Sequence, residues 1–426
     1  MTGARRIVFI CQAAALGGAE RSLLDLLASM RAHRPGDDLR LIAAEQGPLL
    51  AAARDLGVAG LVIPMGARAA GMGDSGLTLS GSAAAYAGLA AKSLPAAWAA
   101  WRWSRRLGAA LAQMAPHVVH TNSLKSHVLA VAGRPRAPVV WHLRDFLSSR
   151  SLLRRVLPRL ARRAAGAIAI SHAVAADARR ILGPLPVEVV HNAIDTGVFA
   201  PGPADPGLLD RLSKPPSGSG TRLRVGLVAS YARWKGHDVF LEAAARLRDR
   251  RPGSCLFYIV GGPIYRTAGS QFSEQELVAL SERLSLGESV RFIPFQADPA
   301  PVYRALDVVV HASTRPEPFG RTIVEAMACG RPVVASKGGG AAELFREGEE
   351  ALGVPPGDAE ALSRAVERLL ADRGLRERMA EAARKGACDR FSRGRLAGEV
   401  DAAYRRFLGR GDAVGGSADT RQGHED

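Results

Sequence analysis

Two glutamates, Glu317 and Glu325, lie in the segment PEPFGRTIVEAMACGRPVVAS, and their surroundings differ. Glu317 sits in a proline-flanked turn, whereas Glu325 falls in the helix that the spacing of Ile323, Val324 and Met327 predicts. A carboxylate can accept hydrogen bonds from two adjacent hydroxyls, as a ribose presents them. The two glutamates therefore predict a site in which each carboxylate holds one sugar ring.

The start of the predicted helix, near Gly320–Arg321, lies between these two carboxylates. Its free backbone N–H groups and the positive end of its dipole form an anion site. We therefore expect a pyrophosphate at this helix end, between the two sugars. The alternative is an ordinary surface carboxylate at Glu317 and a helix carboxylate at Glu325 that complements the dipole.

The element before Glu317 is a predicted strand, LDVVVHAS, and ligands of open parallel sheets bind beyond the carboxyl ends of strands. Apolar runs of this kind alternate with helical patterns along the chain, which predicts buried parallel strands. The predicted strands of the first half are Arg6–Cys11, Leu39–Ala44, Val118–Thr121, Pro138–His142, Ala167–Ser171 and Val187–His191.

The segment from Pro201 to Gly220 is rich in Pro, Gly and Ser, which predicts an interdomain linker. The alternation then restarts with LRVGLVAS, SCLFYIVGG, VRFIPF, LDVVVHAS and PVVAS. The sequence thus predicts an α/β protein with two parallel-sheet domains that face each other across a cleft. The predicted divisions are a first domain at 1–200, a linker at 201–220, a second domain at 221–390, a helix crossing back to the first domain at 391–410 and a disordered tail at 411–426.

The chain of 426 residues carries a formal net charge of +16, and residues 1–205 hold 24 Lys and Arg against 12 Asp and Glu. A basic surface suits nucleic acid, anionic lipid or phosphorylated ligands. Aromatic residues make up only 5% of the chain and no nucleic-acid-binding motif is present, which argues against nucleic acid. A basic run could meet anionic lipid or a lipid-linked pyrophosphate, or form a solvated face. Its members are Arg150, Arg154, Arg155, Arg159, Arg162 and Arg163.

Four scattered cysteines without a CxxC pair indicate buried thiols in a reducing cytosol. The N-terminus resembles a short signal peptide, but its apolar run is short, and we expect a first strand, Ile7–Cys11. The apolar segment from Ala83 to Trp103 is interrupted by Lys92, Pro95 and Arg102, too soon for a bilayer crossing of about 20 residues. It predicts helices that either lie against a membrane or pack inside the first domain. We expect a cytoplasmic protein, peripheral on the inner face of a membrane.

The segment that holds both glutamates resembles the signature of family 4 retaining glycosyltransferases. It has Glu, seven residues and Glu, with the E-x-F-G core and the A-x-x-C-G-x-P-V-V-A continuation. The resemblance covers nearly the whole chain and implies the GT-B fold of two Rossmann-like domains. It implies that Glu325 binds the donor ribose and that Glu317 contacts the transferred sugar near its reactive face. It also implies that the backbone amides of Phe319, Gly320 and Arg321 meet the donor.

The segment SYARWKGHDVFLEAAA fits the same family. The resemblance implies that Lys235 neutralises the donor diphosphate, since the leaving nucleotide develops charge as the glycosidic bond breaks. The family's usual Gly-Arg pair before this lysine is Ala229-Ser230 here. Arg233 is the candidate substitute for that arginine, and weaker phosphate binding is the alternative. A lysine that snorkels at a helix start is the other interpretation of Lys235.

Two segments of the first half resemble the family's first domain. ALGGAERSLLDLL matches the family's opening, in which Gly17 and Gly18 let the backbone turn below a sugar phosphate. PVVWHLRDF matches a strand whose His142 faces the cleft and binds the donor sugar or positions the acceptor. A satisfied histidine at a strand end is the alternative. VVHNAID resembles the family's hinge, with Ala193 where the family has Gly.

The remaining candidates concern the acceptor and the donor loop. After another strand, HTNSLKSH offers Asn122 and Lys125 as a polar rim for hydroxyls or an acceptor phosphate, and Arg144 is acceptor-side or structural. GGGAAELF resembles the loop that closes around the donor sugar and phosphate, and its Glu343 is either part of that site or a helix N-terminal carboxylate.

Taken with the resemblance, these residues predict a retaining glycosyltransferase that moves a sugar from a nucleotide-diphosphate sugar to a hydroxyl. We expect a lipid-linked or cell-surface polysaccharide acceptor, no metal and no other cofactor, because Lys, Arg and helix ends supply positive charge. The catalytic residues expected are Glu317, His142 and Lys235. The alternatives are a nucleotide-sugar epimerase-like enzyme of the same fold and a catalytically silent sugar-nucleotide-binding protein.

Overall fold

The structure, a computed structural model, describes residues 4–66, 83–149, 155–205, 207–213, 222–263 and 269–409. In the helix that begins at Ala83, side chains are described from Pro95 onward. Residues 214–220 of the predicted linker, the predicted tail at 411–426, and Arg150 and Arg154 of the basic run lie outside the described residues.

The first half forms a seven-stranded parallel sheet with the order β3-β2-β1-β4-β5-β6-β7. Its strands are β1 (Arg6–Cys11), β2 (Asp38–Ala43), β3 (Ala59–Val62), β4 (Val118–Thr121), β5 (Val139–Leu143), β6 (Gly166–Ala169) and β7 (Val187–Val189). The helices of this half are α1 (Gly18–His33), α2 (Pro48–Asp55), α3 (Ala83–Met114), α4 (Leu124–Ala132), α5 (Leu157–Ala161), α6 (His172–Leu182) and α7 (Leu208–Leu212).

The second half forms a six-stranded parallel sheet with the order β10-β9-β8-β11-β12-β13. Its strands are β8 (Leu223–Val228), β9 (Cys255–Gly261), β10 (Val290–Pro294), β11 (Val308–His311), β12 (Val333–Ser336) and β13 (Leu352–Val354). The helices are α8 (His237–Arg250), α9 (Glu274–Arg283), α10 (Ala300–Ala305), α11 (Arg321–Ala328), α12 (Ala359–Ala371), α13 (Arg373–Phe391) and α14 (Leu396–Leu408).

The predicted α/β fold with two parallel sheets is confirmed, and the two strands that the sequence did not reveal are edge strands. β3 has the short sequence AGLV with three exposed residues, and β13 has three residues. A strand at the edge of a sheet is covered on fewer sides, so its sequence need not show the apolar run that marks a central strand. Both strands are therefore absent from the hydrophobic pattern.

The last helix, α14, packs on the first sheet rather than the second. Val400, Tyr404 and Phe407 are buried in a core that they share with residues of β1, β2 and α1. The carboxylate of Asp401 accepts a hydrogen bond of 2.9 Å from buried Arg5, directly before β1. The chain thus passes from the second sheet back to the first.

In each sheet the strand order reverses beside the first strand of the unit, at β1/β4 and at β8/β11. Such switch points open a crevice at the carboxyl edge of a parallel sheet. The loop after β12 contacts the residues that follow β5 and β6, so the two carboxyl edges face each other. Within the described ranges, no helix combines the length and apolarity that a bilayer crossing requires.

Candidate active site

An ion pair between Lys235 and Glu317 lies at the switch point of the second sheet. Lys235 belongs to a 3-10 turn, Arg233–Lys235, that follows β8, and Glu317 follows β11. The Lys235 Nζ donates to Glu317 Oε2 at 2.7 Å and to Oε1 at 3.0 Å, and it lies 4.0 Å from the centre of the Trp234 ring. The ammonium is thus held at the carboxyl edge, where a ligand of this sheet would bind.

Glu317 is only 7% exposed and has two further partners at the end of β11. Ser313 Oγ donates to Glu317 Oε2 at 2.8 Å, and His311 Nε2 lies 3.2 Å from the same oxygen. Burial by itself would raise the pKa of the Glu317 carboxyl, but the charge of Lys235 and the hydrogen bonds from His311 and Lys235 lower it well below its usual range. Glu317 is therefore an anion and a weak base.

Glycines let the surrounding backbone approach this ion pair. Gly236 has φ +72°, and a Cβ there would lie 1.9 Å from the carbonyl oxygen of Ala312. Gly339 has φ +66°, and a Cβ there would lie 2.6 Å from the carbonyl oxygen of Glu317. The neighbouring Gly340 N–H donates to that same oxygen at 2.7 Å. The glycine triplet thus supports the Glu317 backbone, a role that the sequence pattern did not suggest.

Glu325 is one turn inside α11 and is 5% exposed. Its Oε2 accepts a hydrogen bond from the Tyr303 hydroxyl at 3.0 Å, and its Oε1 accepts one from Arg321 Nε at 2.8 Å. Burial raises the pKa of the Glu325 carboxyl, and the opposing effects of Arg321 and Tyr303 do not cancel that increase. A ribose that binds Glu325 must therefore share the carboxylate with these partners or displace them.

Arg321 connects the second domain to the first. Its Nη1 donates to Asp25 Oδ2 of α1 at 2.7 Å, to Ser22 Oγ at 3.3 Å and to the carbonyl of Ala193 at 3.3 Å. The sequence predicted only a backbone contact to the donor for this residue. Its guanidinium instead joins the donor-side helix to α1, the helix that opens at Gly17.

Glu343 makes a second connection between the domains. Its two carboxylate oxygens accept hydrogen bonds from the backbone N–H groups of His172 and Ala173 at 2.8 Å and 2.7 Å, in the first turn of α6. His191 Nε2 lies 3.1 Å from Glu343 Oε2. Glu343 thus acts as a helix N-terminal carboxylate, which was one of the two interpretations of this residue. The helix that it caps is α6 of the first domain, not the helix of its own segment.

Arg233 points away from the Lys235–Glu317 pair. Its Nη2 donates to Glu276 Oε1 at 2.5 Å, its Nε donates to the Gly269 carbonyl at 3.2 Å, and its guanidinium stacks over Phe272 at 4.3 Å. In this conformation the charge of Arg233 is neutralised beside α9. Its expected contact with the donor phosphate would require this ion pair to open.

The segment Phe319–Arg321 leads into α11, and its expected contact with the donor diphosphate stays a prediction, while the Phe319 ring packs in the core. Gly320 has φ +104° and is the residue before α11, so the first N–H groups of α11 begin directly after it. The Phe319 ring is buried against His191 and Phe391. α11 has eight residues, and its start lies between Glu317 and Glu325 as expected.

At the first sheet, the expected polar rim is largely turned inward. Asn122 is fully buried, accepts a hydrogen bond from Arg144 Nε at 2.9 Å and donates to the Ala19 carbonyl at 3.2 Å. Arg144 Nη1 also donates to Asn192 Oδ1, and burial lowers the pKa of Arg144 to about 9. Lys125 lies half-buried in the first turn of α4. The acceptor roles of these residues stay predictions, and they would involve a network whose members already contact one another.

A cavity of about 190 Å³ opens beside this network. The cavity is lined by the first turn of α1, the start of α4 and the segment after β5, including Ala19, Ser123, Arg144 and Phe146.

Gly17 and Gly18 lie at the start of α1, and neither adopts a left-handed conformation. Backbone conformation therefore does not require glycine at these two positions. A side chain at Gly17 would instead contact the Glu20 carboxylate at 2.8 Å.

His142 is 1% exposed, and its expected role at the donor sugar or the acceptor stays a prediction. Its Nδ1 lies 3.0 Å from His120 Nε2, and His120 Nδ1 lies 2.6 Å from the hydroxyl of Tyr404 in α14. Burial lowers the pKa of both histidines well below the ordinary value, so both are neutral. The His142 Nε2 is buried without a hydrogen-bond partner among the described residues.

Sequence reasoning missed His311, Ser313, Tyr303 and Asp25. His311 and Ser313 are two positions apart at the end of β11, so their side chains point to the same side of the strand. That spacing could have identified both residues as neighbours of Glu317. Tyr303 and Asp25 lie on other helices and come together with α11 only in the folded chain. Among the described residues, one group could hold a metal ion, His172, His191 and Glu343. Its carboxylate already accepts the two α6 N–H groups, a contact that needs no ion.

The fold defines a class of protein, two parallel-sheet α/β domains whose carboxyl edges face each other, with the Lys235–Glu317 ion pair at the edge of the second sheet. Two family models match the chain: "Glycosyltransferase Family 4" over residues 16–198 and "Glycosyl transferases group 1" over residues 212–386. Together the two matches span most of the chain. The protein therefore belongs to the group 1, family 4 glycosyltransferases.

The solved structures support the GT-B fold. Anabaena Alr3699/HepE, crystallised in complex with UDP-glucose, is 26% identical, has a TM-score of 0.75 and is matched over 94% of this chain and 100% of its own. Sucrose-phosphate synthase from Thermosynechococcus elongatus, at 20% identity, has a TM-score of 0.72 and is matched over 95% of this chain and 100% of its own.

Two curated relatives match shorter segments. A D-inositol 3-phosphate glycosyltransferase of Salinispora arenicola (strain CNS-205) is 36% identical over 52% of this chain and 51% of its own length. The lipopolysaccharide core biosynthesis glycosyltransferase LpsE of Rhizobium meliloti (strain 1021) is 36% identical over 37% of this chain and 43% of its own. The chain thus spans about half the length of these relatives or less.

Proposed function

We propose that this protein is a retaining glycosyltransferase that transfers a sugar from a nucleotide-diphosphate sugar to a hydroxyl of a lipid-linked or cell-surface polysaccharide intermediate. The observation that carries the proposal is the Lys235–Glu317 ion pair at the switch point of the second sheet, next to the start of α11. The matched Anabaena structure contains UDP-glucose, which supports a nucleotide-sugar donor for this chain.

In this reaction the donor lies along the second carboxyl edge. Glu325 binds the ribose, the N–H groups at Phe319–Arg321 and the Lys235 ammonium hold the diphosphate, and Glu317 faces the transferred sugar. An ammonium has three N–H donors, so Lys235 can contact a phosphate while it remains paired with Glu317. Positive charge at this point stabilises the leaving nucleotide as the bond from the anomeric carbon to the phosphate oxygen breaks.

The acceptor hydroxyl attacks from the side that the phosphate leaves, so the anomeric configuration is retained. The acceptor oxygen forms the new bond to the anomeric carbon, and its proton passes to the departing phosphate oxygen. A carboxylate whose pKa is lowered, as at Glu317, is a poor proton acceptor, which supports an electrostatic role for Glu317 rather than general base catalysis. His142 acts on the sugar only if a ligand reaches its unpartnered Nε2.

In this proposal the acceptor binds in the cavity beside Asn122 and Arg144, near Lys125 at the start of α4; the existence of the cavity at this edge supports that position. One relative is named for an inositol phosphate and another for a lipopolysaccharide core, which supports an acceptor that is a polyol, a sugar or a sugar phosphate. We propose that the protein works in the cytoplasm at the inner face of a membrane and requires no metal.

The test is a donor panel of nucleoside-diphosphate sugars with lipid-linked and polysaccharide acceptor pools, read by mass spectrometry and by NMR of the anomeric proton. Transfer with retained configuration that persists in EDTA supports the proposal. An inverted configuration in the product contradicts the retaining mechanism. Loss of transfer in EDTA that added metal restores contradicts the claim that no metal is required. Donor binding without product identifies a silent binding protein, and an altered sugar without acceptor identifies an epimerase-like enzyme.

A further inference from the structure

Helix α3 carries an exposed aromatic and basic stripe that the proposed chemistry does not use. Trp98 is 59% exposed and Trp101 is 51% exposed, and their rings stack with centroids 4.7 Å apart. Arg102 and Arg105 are also exposed, and the Arg105 guanidinium lies 5.9 Å from the centre of the Trp101 ring. We call these four residues the α3 stripe.

The stripe is one face of an amphipathic helix. Its positions recur at intervals of three and four residues, which places them side by side along α3. The opposite face holds Trp103, Leu107 and Leu111, which are buried in the core of the first sheet. Among the described residues, the opposite face of α3 thus packs in the core of the first sheet, and the two indole rings of the stripe remain exposed.

The charge around the stripe has one sign. Helix α3 contains no Asp or Glu, and residues 83–163 hold 14 Lys and Arg against one acidic residue, Asp145. α4 lies between α3 and α5 and contacts both, so these helices form one layer. The exposed arginines next to α5 on this layer are Arg155, Arg159, Arg162 and Arg163. This layer as a whole is complementary to an anionic surface.

The stripe lies at the same edge of the sheet as the active-site cleft. The Trp103 indole donates a hydrogen bond of 2.7 Å to the carbonyl of Ile63, directly after β3, so Trp103 is level with the carboxyl edge. α3 precedes β4 and runs back toward the amino edge. Trp98 comes five residues earlier and therefore lies about 7 Å farther out along the helix. The cavity at the start of α4 opens at this same edge.

We propose that the α3 stripe is a docking surface for a bilayer that contains anionic lipid. Indole rings partition to the boundary between headgroups and acyl chains, and arginines beside them meet anionic headgroups. Docking there would bring the cavity at Asn122 and Arg144 toward the bilayer, where a lipid-linked acceptor presents its hydroxyl. The reason given for docking, access to a lipid-linked acceptor, rests on the proposed function.

The experiment is co-sedimentation of the full chain with vesicles of phosphatidylcholine and phosphatidylglycerol, compared with phosphatidylcholine alone. Wild-type protein is expected to bind the anionic vesicles more tightly. Trp98→Ala/Trp101→Ala weakens binding about tenfold because the buried apolar area is lost. Arg102→Glu/Arg105→Glu weakens it by at least about 25-fold, since each basic residue near an anionic surface contributes about fivefold.

Matched controls come from exposed residues elsewhere. Val198→Ala removes apolar area from a side chain that is 49% exposed, and Arg364→Glu/Arg373→Glu reverses two exposed charges on the second domain. Both control proteins are expected to bind vesicles as wild type does. Trp98→Phe/Trp101→Phe keeps aromatic rings at the stripe and is expected to retain most of the binding.

Three results would overturn the docking surface: no binding of wild type to anionic vesicles, equal binding to neutral vesicles, or wild-type binding by both stripe variants. The outcome is independent of the chemistry. Vesicle binding that needs the stripe, in a protein that transfers no sugar, leaves the docking surface in place and contradicts the proposed function. Transfer of sugar to a water-soluble acceptor by a protein that binds no vesicles leaves the glycosyltransferase activity in place and contradicts the docking surface.

Discussion

At the carboxyl edge of the second sheet, Lys235 and Glu317 form an ion pair in which the ammonium is 18% exposed. At the corresponding edge of the first sheet, His120 and His142 are buried, neutral and bonded to each other. The two sheets share their parallel plan and their switch point. They differ in the charge of the polar groups at that point, because the pair at the second edge is ionised and the histidines at the first edge are neutral.

This difference has a physical cause. A charged group can be held at low exposure when an opposite charge and hydrogen bonds offset its desolvation, as Lys235, Ser313 and His311 do for Glu317. Among the residues that the structure describes, the histidines of the first edge have no such partner and remain neutral, and Arg144 donates to the amide oxygens of Asn122 and Asn192. The second edge thus carries an ion pair within reach of a ligand, whereas the first edge presents Arg144 beside neutral histidines.

The strongest test of this contrast is Lys235→Ala. We expect kcat to fall about 1000-fold because a preorganised cation at the leaving group is lost. The change is measured as initial rates of transfer with the best donor of the panel. Lys385→Ala, at an exposed lysine paired with Asp389, is the matched control and should retain full rates. Full activity in the Lys235 variant would refute its assignment.

Glu317→Gln should have the next largest effect. The amide keeps the shape of the side chain but releases Lys235, so the ammonium loses its position and kcat falls about 100-fold. Donor affinity, measured by titration calorimetry, should change less than kcat. A fall in affinity with an unchanged turnover number would remove the role proposed for Glu317 at the transferred sugar.

Asp25→Asn tests the connection between the two edges. It leaves the mostly buried Arg321 guanidinium without one carboxylate, which should cost about 3 kcal/mol of stability. The measurement is the thermal unfolding midpoint, with Asp389→Asn at an exposed ion pair as the control. An unchanged midpoint would show that the contact between Arg321 and α1 does not stabilise the closed arrangement of the domains.

A third buried histidine of the first edge, His127 in α4, predicts a pH dependence of stability; its Nδ1 lies 2.6 Å from Thr121 Oγ1 at the end of β4. Burial lowers the pKa of His127 to about 3, whereas the unfolded chain binds this proton near the ordinary value of 6.5. The unfolded state is protonated first as the pH falls, so the free energy of unfolding decreases between pH 6.5 and about 3. His127→Gln should reduce this slope by about 1.4 kcal/mol per pH unit in denaturant titrations. An identical slope in the variant would contradict a neutral His127.

Arg233→Ala should have the smallest effect. The side chain pairs with Glu276 and is 44% exposed, and such pairs contribute at most about 1 kcal/mol. We expect donor affinity to fall less than fivefold, about 1 kcal/mol or less. A loss of activity comparable with that of Lys235→Ala would instead show that Arg233 leaves Glu276 and takes the role of the family's arginine, at whose position this chain has Ser230.

Much of the donor edge could be predicted from local sequence. Glu317, Gly320 and Glu325 lie within one strand-turn-helix segment, so their spacing alone determines their order along the edge. Lys235 was added only through the family resemblance, since the residues by themselves equally fit a lysine at a helix start. The contrast with the first edge could not be predicted, since Asn122 and His142 lie at the carboxyl ends of strands in the same way as Glu317, yet their side chains are buried.

The sequence by itself determined the two parallel sheets and the helix start between two carboxylates, because these depend on the periodicity of neighbouring residues. The order of the strands, and with it the two switch points, came only from the structure. Only the tertiary structure decided that Arg321 reaches Asp25, that Glu343 caps a helix of the other domain and that Tyr404 closes a chain of histidines from 284 positions away. Those contacts join residues on elements that approach each other only after both sheets have packed. Their strength depends on burial and on the geometry of the partner, neither of which a linear pattern contains.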